Sequence, residues 1–205
     1  MKTSVMKGMV TGLALAAAMP MTAMAEMSGN IGYTSNYLWR GQTQTNDQSA
    51  ISGGIDYSHS SGFYAGLWTS NVSWTPTPGS ELDAYLGYAG KAGEFTYDVG
   101  YINYGYPQNS GSDFSEVYLG GGYGPVSFKY STDSANSTSY MELGASFDLS
   151  EKMGLGLHYG SGTAGTYDTD YSVTLSSGDF SFGISNWSND TTYKPFVSYS
   201  QSFDF

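Results

Sequence analysis

From about residue 80 to the end of the chain, apolar side chains recur at every second position. Leu82, Ala84, Leu86 and Tyr88 alternate with Glu81, Asp83, Tyr85 and Gly87. The same rhythm returns in Phe95, Tyr97, Val99 and Tyr101, in Val117 and Leu119, and in Val126, Phe128 and Tyr130. It continues through Met141, Leu143, Ala145 and Phe147, then Met153, Leu155, Leu157 and Tyr159. Tyr171, Val173 and Leu175, Phe180, Phe182 and Ile184, and finally Val197, Tyr199, Phe203 and Phe205 complete it. A period of two belongs to strands, whose successive side chains point to opposite faces; helices repeat every 3.6 residues. Upstream, Ile31, Tyr33, Tyr37 and Trp39 mark a first strand, and Ile51, Ile55 and Tyr57 a second. In the third, 63–74, Tyr64, Trp68 and Val72 compete with Phe63, Ala65 and Leu67 for the apolar face, and the parity stays open.

This reading yields twelve strands and two kinds of connection. His59–Gly62, Gly90–Gly93, Gly124-Pro125, Ser150–Lys152 and Ser177-Gly178 are tight turns. Between them lie longer links at 40–48, 75–80, 105–113, 132–138, 161–169 and 188–194, rich in Asn, Asp, Ser, Thr, Gly and Pro. Short turns at one end and longer loops at the other are the pattern of outer-membrane barrels. A soluble β-sandwich also alternates, with its apolar face inward. Three features favour the barrel. The polar face is rich in Gly and Ser, as a crowded interior requires. Aromatics gather near strand ends, as membrane interfaces require (Tyr33, Trp39, Tyr57, Tyr88, Tyr101, Tyr123, Tyr159, Trp187). The chain also ends on an aromatic strand, with Tyr199, Phe203 and Phe205 on one face as an assembly signal. The expected fold is all-β: a transmembrane, antiparallel, up-and-down barrel.

The first 25 residues look unlike the rest. Lys2 and Lys7 precede an apolar run through Leu13–Ala18, and Ala23-Met24-Ala25 supplies a small-x-small cleavage pattern. We read 1–25 as a cleaved signal peptide and 26–205 as the barrel. No later apolar run approaches the ~20 residues of a spanning helix, so membrane insertion requires strands. Without Lys2 and Lys7, five bases stand against eighteen acids. That balance opposes phosphate binding and argues against a nucleic-acid partner. With no cysteine, thiolate metal sites and cysteine nucleophiles are excluded.

Strand parity sends most charges to the polar face. Asp56, Glu81, Asp83, Glu94, Asp98, Glu116, Glu142, Asp148, Asp170, Asp179 and Asp204 are expected inward, with Arg40, Lys129 and Lys152. We take Arg40, Asp56, Asp83, Asp98, Glu116, Lys129, Glu142 and His158 as the candidate pore lining. An acidic lumen favours cations or neutral polar solutes, because rings of like charge set selectivity. The alternative is a plugged barrel: about eight strands are filled by side chains, wide channels need about sixteen, and twelve lies between. Arg40, at the top of the first strand, is expected to pair with Asp56 across the first hairpin; holding a solute at the mouth or contacting lipopolysaccharide phosphate are its other uses. A barrel hydrolase would need His158 to work with Ser161 and Asp170. No Gly-x-Ser-x-Gly elbow accompanies them, so no catalytic residue, metal or cofactor is assigned.

The stretch Ser28 to Thr45, with its Ser35-x-Tyr37-x-x-Arg40-Gly41 block and Gln/Thr-rich continuation, resembles the opening of the TorF-type porin family of proteobacteria. The likeness continues through Gly53–Tyr57, Ser61–Trp68 and Glu81–Tyr88, and Tyr104–Pro107 resembles a Tyr-x-Tyr-Pro element there. It covers most of 26–205 and is strongest over 28–107. The resemblance implies an outer-membrane porin. The expected function is passive diffusion of small hydrophilic solutes, with membrane lipid, lipopolysaccharide and the barrel assembly machinery as partners. A non-conducting structural or adhesive barrel and a barrel hydrolase are the other readings.

Overall fold

The computed structural model describes residues 25–73 and 78–205. The signal segment, except Ala25, and Trp74 lie outside the described residues. Among the described residues fourteen strands follow one another: β1 (Glu26–Thr34), β2 (Leu38–Trp39), β3 (Gln42–Thr43), β4 (Ala50–Ser58), β5 (Phe63–Val72), β6 (Gly79–Ala92) and β7 (Phe95–Gly105). Then come β8 (Phe114–Tyr123), β9 (Val126–Asp133), β10 (Thr138–Asp148), β11 (Met153–Gly162), β12 (Asp170–Ser177), β13 (Phe180–Trp187) and β14 (Lys194–Asp204). Twelve of them, all but β2 and β3, form one closed antiparallel barrel in sequence order. The ring is sealed where β1 pairs with β14, Ser28 opposite Asp204 and Thr34 opposite Ser198.

Closure satisfies the backbone of every wall strand on both sides, so no edge is left unpaired. The short connections follow from turn chemistry. Two-residue turns at Gly93-Glu94, Gly124-Pro125 and Gly178-Asp179 each begin with a glycine at positive φ, the conformation that tight hairpin turns demand.

The alternation sorts outward from inward as the sequence indicates. Ile31, Ile55, Leu86, Val99, Leu119, Leu143, Val173 and Ile184 are exposed on the outer face. Glu81, Asp83, Asp98, Glu116, Asp170, Ser172, Thr174, Ser185 and Ser198 are buried inside. The open parity of the third wall strand is settled: Phe63 and Leu67 are exposed outside, while Tyr64, Trp68, Ser70 and Val72 face inward. Two aromatics expected in the outer girdle are instead internal: Trp39 packs on Tyr104, and the Trp187 indole nitrogen is buried. Glu94, Asp148 and Asp204, expected inward with Lys152, are exposed at or near the short-turn end, where the strands run out, and Asp179 is half-buried in its turn there.

Large rings fit inside because glycine faces them from neighbouring strands. Tyr85 lies against Gly66, Tyr118 against Gly100 and Phe196 against Gly183. A Cβ on Gly100 would sit 2.5 Å from Tyr118 Cζ and 2.9 Å from the Leu86 carbonyl oxygen. The second contact is backbone and cannot move aside, so side chain and wall are packed at the density of a core. Gly100→Val is therefore expected to prevent closure at β6–β7–β8. The check is heat-modifiable gel mobility, which reports a compact barrel before boiling: the variant loses the fast-migrating form, whereas Leu86→Ile on the outer face keeps it.

Candidate functional site: an arginine-tipped hairpin inside the barrel

The first wall strand ends at Thr34, and the chain turns into the lumen rather than continuing upward. Residues 35–49 form a loop whose middle is a miniature hairpin: Leu38 pairs with Thr43 and Trp39 with Gln42. Arg40 and Gly41 are its two turn residues, with φ of 50° and 76°. Positive φ at both central positions is the signature of the tightest hairpin turn, and it suits Gly at little cost but strains Arg. Such strain persists only where the surroundings over-determine it.

Those surroundings are dense. The Arg40 guanidinium donates two hydrogen bonds to Glu116 on β8, from Nη1 and Nη2 to Oε1 and Oε2, each 2.8 Å long. Its carbon lies 4.2 Å from the ring centres of Trp39 and Tyr140 and 4.4 Å from that of Tyr167. The Arg40 side chain is 5% exposed and that of Glu116 1%. A bidentate, charge-assisted pair enclosed by rings is the strongest way to hold a buried guanidinium. The expected partner, Asp56, is not used. Asp56 instead accepts from Asn30 Nδ2 at 3.2 Å and from the Tyr85 hydroxyl. The reason is the route of the chain: Arg40 is no longer on β1, so it cannot reach across the β1–β4 pair.

The rest of the hairpin touches nearly every quarter of the wall. Tyr37 donates to Glu81 on β6 at 3.3 Å and packs edge-on against Trp68 of β5. Trp39 packs on Tyr104 of β7 and Phe114 of β8. On the far side, a Cβ on Gly41 would lie 2.7 Å from Asp170 Cβ of β12 and 3.0 Å from Trp187 Cβ of β13. The stem is tied down by Gln44 N–H to the Tyr37 carbonyl (2.7 Å) and Asn36 Nδ2 to Asp47 (2.8 Å).

Beside the tip, toward β9–β13, lies a cavity of about 40 Å³ bordered by Arg40, Lys129, Tyr140, Glu142, His158 and Asp170. It has room for a few waters. Three of the inward bases meet carboxylates there or next to it: Arg40 with Glu116, Lys129 with Glu142 at 3.3 Å, and His158 Nε2 with Asp170 at 2.8 Å. Asp98 accepts from the Tyr64 hydroxyl at 2.7 Å. Asp83 is fully buried beside Glu81. Asp56, Glu81, Asp83 and Asp98, all on β4–β7, have no base in ion-pair contact among the described residues. The interior thus has a paired wall and an acid-rich wall.

Of the hydrolase constellation, His158 and Asp170 meet, but Ser161 does not join them. Its position on β11 points outward, and its hydroxyl lies 3.4 Å from that of Thr169. Phe203, on the outer face of β14, and Phe205, just past its end, are exposed, with the Phe203 ring lying over Gly29 of β1. Sequence reasoning missed the roles of Tyr140 and Tyr104 and the residue Tyr167: Tyr140 and Tyr167 are rings around Arg40, and Tyr104 bonds its partner Glu116. The first two lie just beyond the strand limits read from alternation, and Tyr167 lies in a loop.

A closed twelve-strand barrel with polar residues inside, an apolar exterior and a loop folded into the lumen is the porin-like architecture. The chain belongs to the Gcw_chp family, described as bacterial proteins of unknown function, whose model matches residues 17–200. Among solved structures the chain is similar to KdgM porin in complex with disordered oligogalacturonate, at 13% identity and a TM-score of 0.58, covering 85% of this chain and 98% of that one. A second KdgM porin structure matches at 16% identity and a TM-score of 0.57, covering 84% and 98%. No curated protein sequence matches.

Two outcomes are expected from the contacts. Removing one member of a buried ion pair costs about 3–5 kcal/mol, because the other charge is left uncompensated. Glu116→Ala should therefore lose about that much in reversible urea unfolding from lipid vesicles, and the double variant with Arg40→Ala should lose less than the two single losses combined. At the loop rim, the hydrogen bond from Lys194 Nζ (2.7 Å) holds the Asp47 carboxyl below the usual aspartate range, with Asn36 reinforcing it against desolvation. A depressed folded-state value means that this latch contributes above the unfolded value near ~3.9 and is lost as pH falls through the folded one. Lys194→Met should move the Asp47 titration upward toward the ordinary aspartate value, read by carboxyl NMR.

Proposed function

We propose that this protein is an outer-membrane channel for passive diffusion of small hydrophilic solutes, with its aperture set by the hairpin at 38–43. The observation that carries the reading is the pairing of an apolar outer face with a charged interior crossed by one loop. In hydrocarbon every backbone group needs an internal partner, and a closed barrel supplies it. In this reading residues 1–25 export the chain, and Tyr199, Phe203 and Phe205 hand it to the assembly machinery. Lipid and lipopolysaccharide surround it, and kinship to the TorF-type porins follows from the shared Arg40-Gly41 block.

Arg40, Asp56, Asp83, Asp98, Glu116, Lys129, Glu142 and His158 are the proposed lining. The interior bases are each matched by a carboxylate, and the β4–β7 wall carries acids beyond those pairs. This surplus favours cations and neutral solutes. Oligogalacturonate, present in one KdgM structure, is a polyanion, and the charge balance here does not match it. The small cavity beside the tip supports a second reading, a structural barrel whose interior is simply filled.

Planar bilayers separate the two. A channel gives discrete conductance steps with a cation-selective reversal potential in a KCl gradient, and replacing 38–43 by a short Gly-Ser turn raises the conductance several-fold. If neither protein conducts, the filled barrel is correct; clear anion preference overturns the acidic-lumen reading. For the membrane placement, Leu143→Arg on the outer face should destabilise by about 2–4 kcal/mol near mid-bilayer. Folding into vesicles of different chain length measures it.

A further inference from the structure

The groups around Arg40 come from two sources, and the distinction matters. Trp39 belongs to the hairpin itself. Glu116 and Tyr140 belong to the wall and Tyr167 to the loop between β11 and β12, which the hairpin also touches: Tyr167 packs edge-on against Trp39 at 5.4 Å, and Gln42 Nε2 donates to the Thr166 carbonyl at 3.1 Å. The Tyr140 hydroxyl donates to Asp170 Oδ2 at 2.5 Å, next to His158. Tyr104 donates to Glu116 Oε2 at 3.4 Å. Tyr167 packs edge-on against Tyr140, ring centres 6.0 Å apart. Wall and loop therefore present two ring faces and a carboxylate around a space of guanidinium size, Tyr140 and Glu116 held by wall contacts and Tyr167 by Tyr140 and Trp39 together. A pre-organised acceptor and rings bind because little ordering remains to be done. The cavity of about 40 Å³ opens on the same space from the β9–β13 side.

Arg40 enters this space in a conformation unfavourable for its own backbone, φ 50°. The hairpin behind it has only two residue pairs in its ladder. We propose that Glu116, Tyr140 and Tyr167 form a recognition site for solutes that carry a guanidinium group, and that Arg40 is the internal occupant which such a solute displaces. This rests on the channel reading and names a solute class for it. A guanidinium satisfies the site in three ways at once: a bidentate salt bridge to Glu116, and a face-on cation–π contact with each ring. A sodium ion offers neither the fork nor the flat face. Displacement removes the ion pair between the hairpin tip and the wall, leaving the aromatic contacts of Trp39 and the Tyr37 hydrogen bond to hold it, so occupation by solute loosens the tip and favours a wider lumen.

The probe is methylguanidinium. In Arg40→Ala the cage is vacated, and methylguanidinium, but not sodium at equal ionic strength, should raise the thermal unfolding midpoint of the detergent-solubilised barrel. Adding Glu116→Gln should weaken that binding by at least about tenfold, the loss of one charge-assisted pair. In planar bilayers the same variant should show a concentration-dependent block by methylguanidinium that the double variant lacks. An Arg40→Ala barrel that conducts but neither binds nor is blocked overturns the proposal and leaves the channel standing. One that binds but never conducts keeps the cage and overturns the channel. Should Arg40→Ala fail to assemble, the wild-type protein serves. Methylguanidinium then competes with Arg40 and increases open time over sodium; no difference between the two ions overturns the proposal.

Discussion

The seam between β1 and β14 is the contact on which the rest depends. An open sheet of twelve strands would leave two rows of unpaired amides, which water can satisfy and hydrocarbon cannot. Pairing Ser28 through Thr34 with Asp204 through Ser198 removes both rows. Once the ring is closed, each strand has one inner and one outer face, and every other feature is a consequence of that division. Apolar residues cover the outer surface. The inner surface must accommodate carboxylates, rings and a loop in a limited cross-section. Glycine opposite tyrosine, as at Gly66 and Tyr85, is how the volume is found.

Buried charge inside such a ring has to be answered locally. Three bases meet three carboxylates, and tyrosine hydroxyls serve Asp56, Asp98 and Glu81. The hairpin is part of this accounting rather than an obstacle laid over it. It brings Arg40 to Glu116, Tyr37 to Glu81 and Trp39 at a steep angle against the β7–β8 rings. Removing it would leave polar groups on several wall strands without partners, which is why a strained turn is tolerated at its tip.

Much of this was legible in the chain. Alternation identified the twelve wall strands, and inward parity placed Asp83, Tyr85, Asp98, Glu116, Tyr118 and Glu142 on the correct face. What was not legible was where the chain leaves the wall. Tyr33, Tyr37 and Trp39 share one parity, so the pattern runs unbroken through the end of β1 at Thr34. A miniature hairpin is itself extended backbone and keeps the period of two. The signals that mark the departure are the Ser35-Asn36 turn vocabulary and the Arg40-Gly41 pair, whose glycine permits positive φ. The partner of Arg40 was hidden for a different reason. Glu116 is 76 residues away and meets it only across the lumen, a proximity that no local periodicity encodes.

That long span has a bearing on the order in which the molecule is completed. The hairpin directly follows β1, one side of the seam, while its contacts lie on β5 through β8, β10, β12 and β13. Contacts of such sequence separation pay their loop-closure entropy before they are rewarded. The contacts of the hairpin with β10, β12 and β13 therefore form only once that part of the chain is in place, and zipping the last strand to the first closes the ring around them.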